Sequence, residues 1–374
     1  MTANLSNWRT SPYSEYGFVN VDQIIRTETI GKSDQHVAHL EKSTSNLNGF
    51  SITSGDETLD LPAFLESINT DGFLVSHKGK AVYEHYAHGN DKDSKHILMS
   101  MTKSITGLVA GVLVGQGVLD TEAKVQVYLP EVKDTPYEHA TVRHLLDMRT
   151  GVQSDDDSHE YRFAMGWTPP NDGEKTTNLL EFITGLRGSA ASKAPGGPFE
   201  YTSLNIDVLG LVIERASGKK FSDLIHQHIW QVIGAESDAL LTLDAGDTPR
   251  AAGGMCATVR DLARLGRSLV SGQVISHSWL RDILTGGDTD VFSSSPFGPM
   301  IDFTGGKIAY RSCWYVDGEA NVMVALGMHG QTLLVDHNID LVIAGTSSQP
   351  HPAAKLKETL AGFAEIRRML LAYA

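Results

Sequence analysis

A chain of 374 residues is longer than one ordinary core fills, so two domains or lobes are expected. Hydrophobic residues at 41% and charged residues at 20% are ordinary for a globular protein, and no window holds the uncharged apolar run that a bilayer helix needs. A formal net charge of −14 argues against nucleic acid and other polyanionic partners.

Residues 1–60 are polar and irregular and read as an extended N-terminal arm wrapping the body. The start, Met1 to Arg9, has neither the basic nor the apolar region of a secretory leader. Cys256 and Cys313 are too few for a disulfide framework, and a cytoplasmic location is expected. Segments 73–77 and 81–86, joined through Lys78-Gly79-Lys80, predict a β-hairpin. A polar loop, 89–93, leads to a helix that begins at Ser100 and ends near 115–117. From about 120 to 250 the signals are helical with Gly and Pro punctuation. Segment 141–148 opens on a Thr cap and stops before Gly151, and 179–186, 206–216 and 221–233 follow. Segment 261–269 is another amphipathic set. After 300 the chain returns to strands: 307–316, 322–326, 332–335 and 341–346, a meander around 327–331. The end, 353–374, predicts a helix with Leu356, Leu360, Phe363, Ile366 and Leu370 on one side. The fold class is therefore α+β. An antiparallel sheet flanked by helices comes from 1–120 plus 251–374, a helical lobe from 121–250, and a cleft lies between them.

The chemistry centres on Ser100 and Lys103. Residues at i and i+3 share a helix face, so hydroxyl and amine point into one volume. At a helix start, free N–H groups favour a developing oxyanion. Partial desolvation lowers the lysine pKa, and a neutral amine can take the serine proton. The bland alternative is an N-capping serine beside a surface lysine. A second copy of the spacing, Ser217-Gly218-Lys219-Lys220, follows a helical stretch and reads as a solvated helix end.

Context decides between these. Leu98-Met99-Ser100-Met101-Thr102-Lys103-Ser104, then 141–152, then Pro195-Gly196-Gly197-Pro198-Phe199-Glu200-Tyr201-Thr202-Ser203 occur in that order. Together they resemble the serine β-lactamase and penicillin-binding-protein superfamily over roughly 70–350. Within it the chain most resembles class C-like (family VIII) carboxylesterases and 6-aminohexanoate-dimer hydrolases, through Gly166-Trp167, Arg260-Asp261-Leu262-Ala263-Arg264 and Met328-His329-Gly330-Gln331.

The resemblance implies a β-lactamase/transpeptidase-like fold with Ser100 as nucleophile, Lys103 as base and Tyr201 as proton relay. It implies an oxyanion hole of the Ser100 and Met328 backbone N–H groups, and substrate contacts from Trp167, Ser203, His329 and Gly330; the alternatives are a packing Trp167, a Ser203 bonded to Lys103, and a structural His329, its usual place in the family. A phenol beside an ammonium is expected to have a lowered pKa; the alternative for Tyr201 is a buried aromatic after a Pro-Gly turn. No cofactor and no metal are implied, and the partner is a small-molecule ester or amide. Whether the chain forms a homodimer is left open. Three departures stand out. No Lys-Thr-Gly triplet exists, its place being taken by Met328-His329-Gly330, which weakens β-lactamase or D-alanyl-D-alanine peptidase work as the main activity and leaves it as an alternative. The tyrosine triplet ends in Ser203, with Asn205 two residues late. Arg162 occupies the place where efficient relatives carry a carboxylate for the linear amide's ammonium. Acyl transfer on the same site and a non-catalytic acyl-binding relative are the remaining alternatives. The acidic run 155–160 reads as a solvated loop rather than a cation site, and His226 and His228 as surface groups.

Overall fold

The computed structural model describes residues 2–43, 47–55, 57–188 and 193–372. The expected hairpin forms from Thr70–His77 and Lys80–Tyr86, turning at Lys78 and Gly79 with φ of 49° and 75°. Its first strand is buried along nearly its whole length, as in an interior strand covered on both faces. Leu341–Ser347 supplies its second neighbour, so strands from both ends of the chain pair within one antiparallel sheet. The seven strands run in the order Lys80–Tyr86, Thr70–His77, Leu341–Ser347, Gln331–Asp336, Val322–Gly327, Trp314–Asp317, Ala309–Arg311. The single strand expected over 307–316 is broken into two by a turn at Ser312 and Cys313, both at positive φ.

Helices cover this sheet. Val259–Val270, N-capped by Thr258, packs on the central strands, and Leu356–Leu371 sets Phe363 edge-on to Phe73 at 5.6 Å. Met101–Gly115 is buried almost throughout, between the sheet and the helix Ser203–Ser217. Its glycines permit that burial: a Cβ on Gly107 would sit 2.3 Å from the Ser312 carbonyl oxygen, and one on Gly111 2.1 Å from the Trp279 indole nitrogen. No helix among the described residues is long and apolar enough to cross a membrane.

The first sixty residues are more than an extended arm. Tyr13–Gly17 is a short helix, Trp8 and Phe18 are in the core, and Thr27–Ile30 is a strand. That strand joins a second sheet of four, in the order Thr27–Ile30, Ala239–Thr242, Met255–Ala257, His96–Ile97. Ala239–Thr242 therefore puts a strand inside the span read as helical. These strands have two to four residues each, too few to show an alternating pattern. The helices expected between 120 and 250 form as Val142–Leu146, Leu179–Gly185, Ser203–Ser217 and Phe221–Ile225, the last continuing as a π-helical turn to Trp230. The Thr141 cap is a reciprocal capping box with His144.

Candidate active site

Ser100 is delivered by a pinned turn. The Ile97 N–H donates to the Phe18 carbonyl and the Leu98 N–H to the Met255 carbonyl, each at 2.8 Å. Met99 then adopts φ of 48°, and the serine helix begins at once. A non-glycine residue in that left-handed region is uncommon and persists only where its surroundings enforce it. Ser100 stands at the N-cap, yet its hydroxyl makes no capping bond. Lys103 is 1% exposed. The N-cap-and-surface-lysine alternative therefore fails in both halves.

The Lys103 Nζ lies 2.8 Å from Ser100 Oγ and 2.8 Å from the Ala252 carbonyl oxygen. Burial lowers its pKa to about 7, with Asp156 and Cys313 opposing that shift and Arg250 adding to it. The carbonyl that holds the amine is itself held. The Ala252 N–H donates to Asp207 Oδ1 at 3.0 Å, and Asp207 forms a buried ion pair with Arg250 while accepting from the Tyr161 hydroxyl at 2.6 Å. Thr106 Oγ1 donates to the neighbouring Ala251 carbonyl at 2.8 Å.

The Tyr201 phenol shares a hydrogen bond with Ser100, and its ring centroid is 5.1 Å from Lys103 Nζ. The residues on either side of it are clasped by the 148–152 turn. Glu200 N–H bonds the Met148 carbonyl at 2.9 Å, and Thr202 Oγ1 bonds the Val152 carbonyl at 3.2 Å. The expected lowering of the Tyr201 pKa is not what the site produces. Burial pushes it well up, outweighing the hydrogen bond from Ser100 that favours the phenolate. The amine is thus the group that loses its proton near neutrality, and the phenol keeps its own.

Ser100, Tyr201, Ser203, Trp167 and Met328 line one cavity of about 290 Å³. The Ser203 N–H donates to both Asp156 oxygens at 3.1 Å, while the amine's hydrogen bonds go to Ser100 and Ala252, not to Ser203. Trp167 bonds Thr242 Oγ1 at 3.1 Å through its indole N–H and packs edge-on to Trp8, so it serves both wall and core. Two expected substrate contacts need correcting. His329 and Gly330 are not on the cavity wall. The His329 N–H donates to the Pro352 carbonyl at 2.8 Å and its Nδ1 meets the Gln349 carbonyl at 2.6 Å. A Cβ on Gly330 would collide with Gln349 Nε2 at 2.5 Å. Both residues build the turn, with φ of 63° and 96°, that presents Met328. Among the described residues, neither the Ser100 nor the Met328 N–H enters the turn and loop hydrogen bonds around the site. Asn205 is also turned away, accepting from Tyr137 and Thr150 inside the helical layer.

The acidic run is only partly solvated: Asp156 and Asp157 reach the cavity wall, and Asp157 pairs with Arg162. Among the described residues no cluster of three or more His, Cys, Asp or Glu is arranged to hold a metal ion. Arg9, Arg250 and Asp207 were missed by sequence reasoning. Arg9 and Arg250 lie on the wall and Asp207 just behind, brought together from distant parts of the chain with no local signal.

The family model described as Beta-lactamase matches residues 62–364. The chain is 30% identical over 368 residues to a 6-aminohexanoate-dimer hydrolase of Paenarthrobacter ureafaciens, covering 93% of this chain and 88% of that protein. A Bacillus anthracis protein assigned as a 6-aminohexanoate-dimer hydrolase superposes with a TM-score of 0.88 at 23% identity, over 100% of this chain and 98% of that one. A D-stereospecific amidohydrolase from Streptomyces superposes with a TM-score of 0.62 at 18% identity, over 82% and 99% of the two chains.

Proposed function

Because the chain belongs to the β-lactamase family and is a serine hydrolase related to β-lactamases, we propose that it cleaves small esters or linear amides through a Ser100 acyl-enzyme. The observation that carries the proposal is the buried Lys103 amine, 2.8 Å from Ser100 Oγ and with its pKa lowered to about 7.

At neutral pH an appreciable fraction of Lys103 is uncharged. The neutral amine accepts the Ser100 proton as the oxygen attacks the substrate carbonyl, and the Ala252 carbonyl steadies the ammonium that results. Negative charge gathers on the former carbonyl oxygen, which the Ser100 and Met328 N–H groups receive. The protonated Tyr201 gives its phenol hydrogen to the leaving alkoxide or amine and is reprotonated from the Lys103 ammonium. Water then attacks the acyl-serine with the same groups reversed, releasing the acid and restoring Ser100. Trp167 and Ser203 form the substrate wall. A cavity of about 290 Å³ suits a small acyl compound. Met328-His329-Gly330 offers no lysine to a β-lactam carboxylate, which favours simple esters and linear amides over antibiotics and peptidoglycan peptides in this reading. The name of the Paenarthrobacter relative puts 6-aminohexanoate dimer on the amide side of the same panel.

Mixing the enzyme with p-nitrophenyl butyrate should give a burst of nitrophenol and a butyryl adduct on Ser100 in the mass spectrum, both absent in Ser100→Ala. Equal turnover by that variant removes the proposal. A lasting adduct without turnover of any ester or amide would instead mark an acyl-binding relative.

A further inference from the structure

Most charges around the cavity have a partner. Arg250 pairs with Asp207, Arg162 with Asp157, and the Asp156 carboxylate takes the Ser203 N–H. Arg9 does not. Its guanidinium stands on the cavity wall with Cζ 5.8 Å from the Trp8 ring centroid and 5.7 Å from that of Trp167. Among the described residues no carboxylate pairs with it. Burial and the neighbouring Arg162 and Arg250 instead hold its pKa down to about 9. A guanidinium carries five N–H donors in a fixed fork, and this partly exposed one makes no hydrogen bond or ion pair to another described residue, which leaves the fork open to a ligand in the cavity. The rest of the wall is largely apolar, with Met165, Ile301 and Leu326 among its residues.

We infer that Arg9 is a specificity residue that receives a carboxylate at the non-reacting end of the substrate, so that acidic esters or amides are preferred. The inference rests on the hydrolase proposal for the choice of substrate, though not for the anion site itself. Ser100, Trp167 and Arg9 line the same cavity, with the Trp167 ring beside Arg9, so a short methylene chain across that cavity would join the reacting carbonyl to the carboxylate. A planar carboxylate matches the guanidinium fork. A dianionic phosphate is disfavoured by Asp156 and Asp157 on the same wall.

The test compares kcat/KM for p-nitrophenyl hydrogen adipate and its methyl ester. Wild type should favour the free acid, and Arg9→Met should lower the acid-to-ester ratio about 10- to 100-fold, the size of a lost charge-assisted hydrogen bond, mainly through KM. Arg9→Lys should recover part of the ratio. A wild-type preference for the methyl ester, or a ratio unmoved in Arg9→Met, overturns the inference. Calorimetric binding of adipate to Ser100→Ala separates the two proposals. Adipate binding that is lost on adding Arg9→Met supports the anion site even if no ester is turned over. Turnover of both esters without adipate binding overturns the site and leaves the hydrolase standing.

Discussion

The chain carries one chemical spacing twice, and the two copies end differently. At Ser100 and Lys103 both residues sit on the first turn of a buried helix, and the amine meets the hydroxyl at 2.8 Å. At Ser217 and Lys220 the serine closes a helix, its hydroxyl donates back to the Ile213 carbonyl at 2.8 Å, and the lysine is exposed. A reactive lysine is therefore made by burial and by a held carbonyl such as Ala252, not by a spacing of three. The larger part of that environment is remote in sequence: Asp207 and Arg250 fix the carbonyl, and Tyr201 arrives on a separate segment.

The sharpest way to break the contrast is to remove each lysine. Lys103→Ala should lower kcat/KM for p-nitrophenyl butyrate by about 10³-fold or more, while Lys220→Ala should stay within about twofold. Comparable losses from both would mean that burial is not what matters. Tyr201→Phe should come next. A protonated phenol that serves the leaving group predicts a loss of about 10²-fold or more on ethyl butyrate or a linear amide, and a clearly smaller one on the p-nitrophenyl ester, whose leaving group needs no proton. Equal losses on both would assign Tyr201 to positioning Ser100 instead.

The pH dependence sharpens the comparison further. Only neutral Lys103 is a base, so kcat/KM for p-nitrophenyl butyrate should fall roughly tenfold per pH unit below about 7 and level off above it. Stability should move with the same group. Because the folded pKa of about 7 lies below the ordinary 10.5, the unfolded chain binds the extra proton between those values. Burying the lysine therefore costs most below about 7, and the cost fades as pH rises toward 10.5. Lys103→Met should raise the denaturation midpoint, more at about pH 6 than at about pH 9, and the reverse order would contradict the lowered pKa.

How far the sequence could be read follows from how local each signal was. The hairpin at 70–86, the closing helix and the strands after 320 are periodic over enough residues to declare themselves. The second sheet is not, since its strands are short and its outer strands pair across long stretches of chain, Thr27 with Thr242 and His96 with Ala257. The Ser100, Lys103 and Tyr201 positions were legible because each sits in a recognisable stretch. His329 and Gly330 were misjudged for the same reason. A shared motif places them near the cavity, but their contacts with Gln349 and Pro352 turn them into the scaffold of the Met328 turn. The direction of the Tyr201 pKa failed because burial, which no local stretch of sequence encodes, outweighs the neighbouring hydrogen bond.

The smallest expected effect explains why the second copy cannot imitate the first. In the first copy the residue after the serine, Met101, is already helical, and the turn carries Lys103 back over Ser100. In the second, Gly218 takes φ of 65° and ends the helix, and Lys220 becomes the extended residue before the next one at Phe221. The left-handed conformation, rather than solvent alone, separates the two side chains. Gly218→Ala should therefore cost about 1–2 kcal/mol in denaturant stability, from forcing a Cβ into that region, with esterase activity intact. A stability change near zero would show that the helix end relaxes into a further turn. In that case Ser217 and Lys220 would regain a common face and still lack the buried carbonyl that Ala252 offers Lys103.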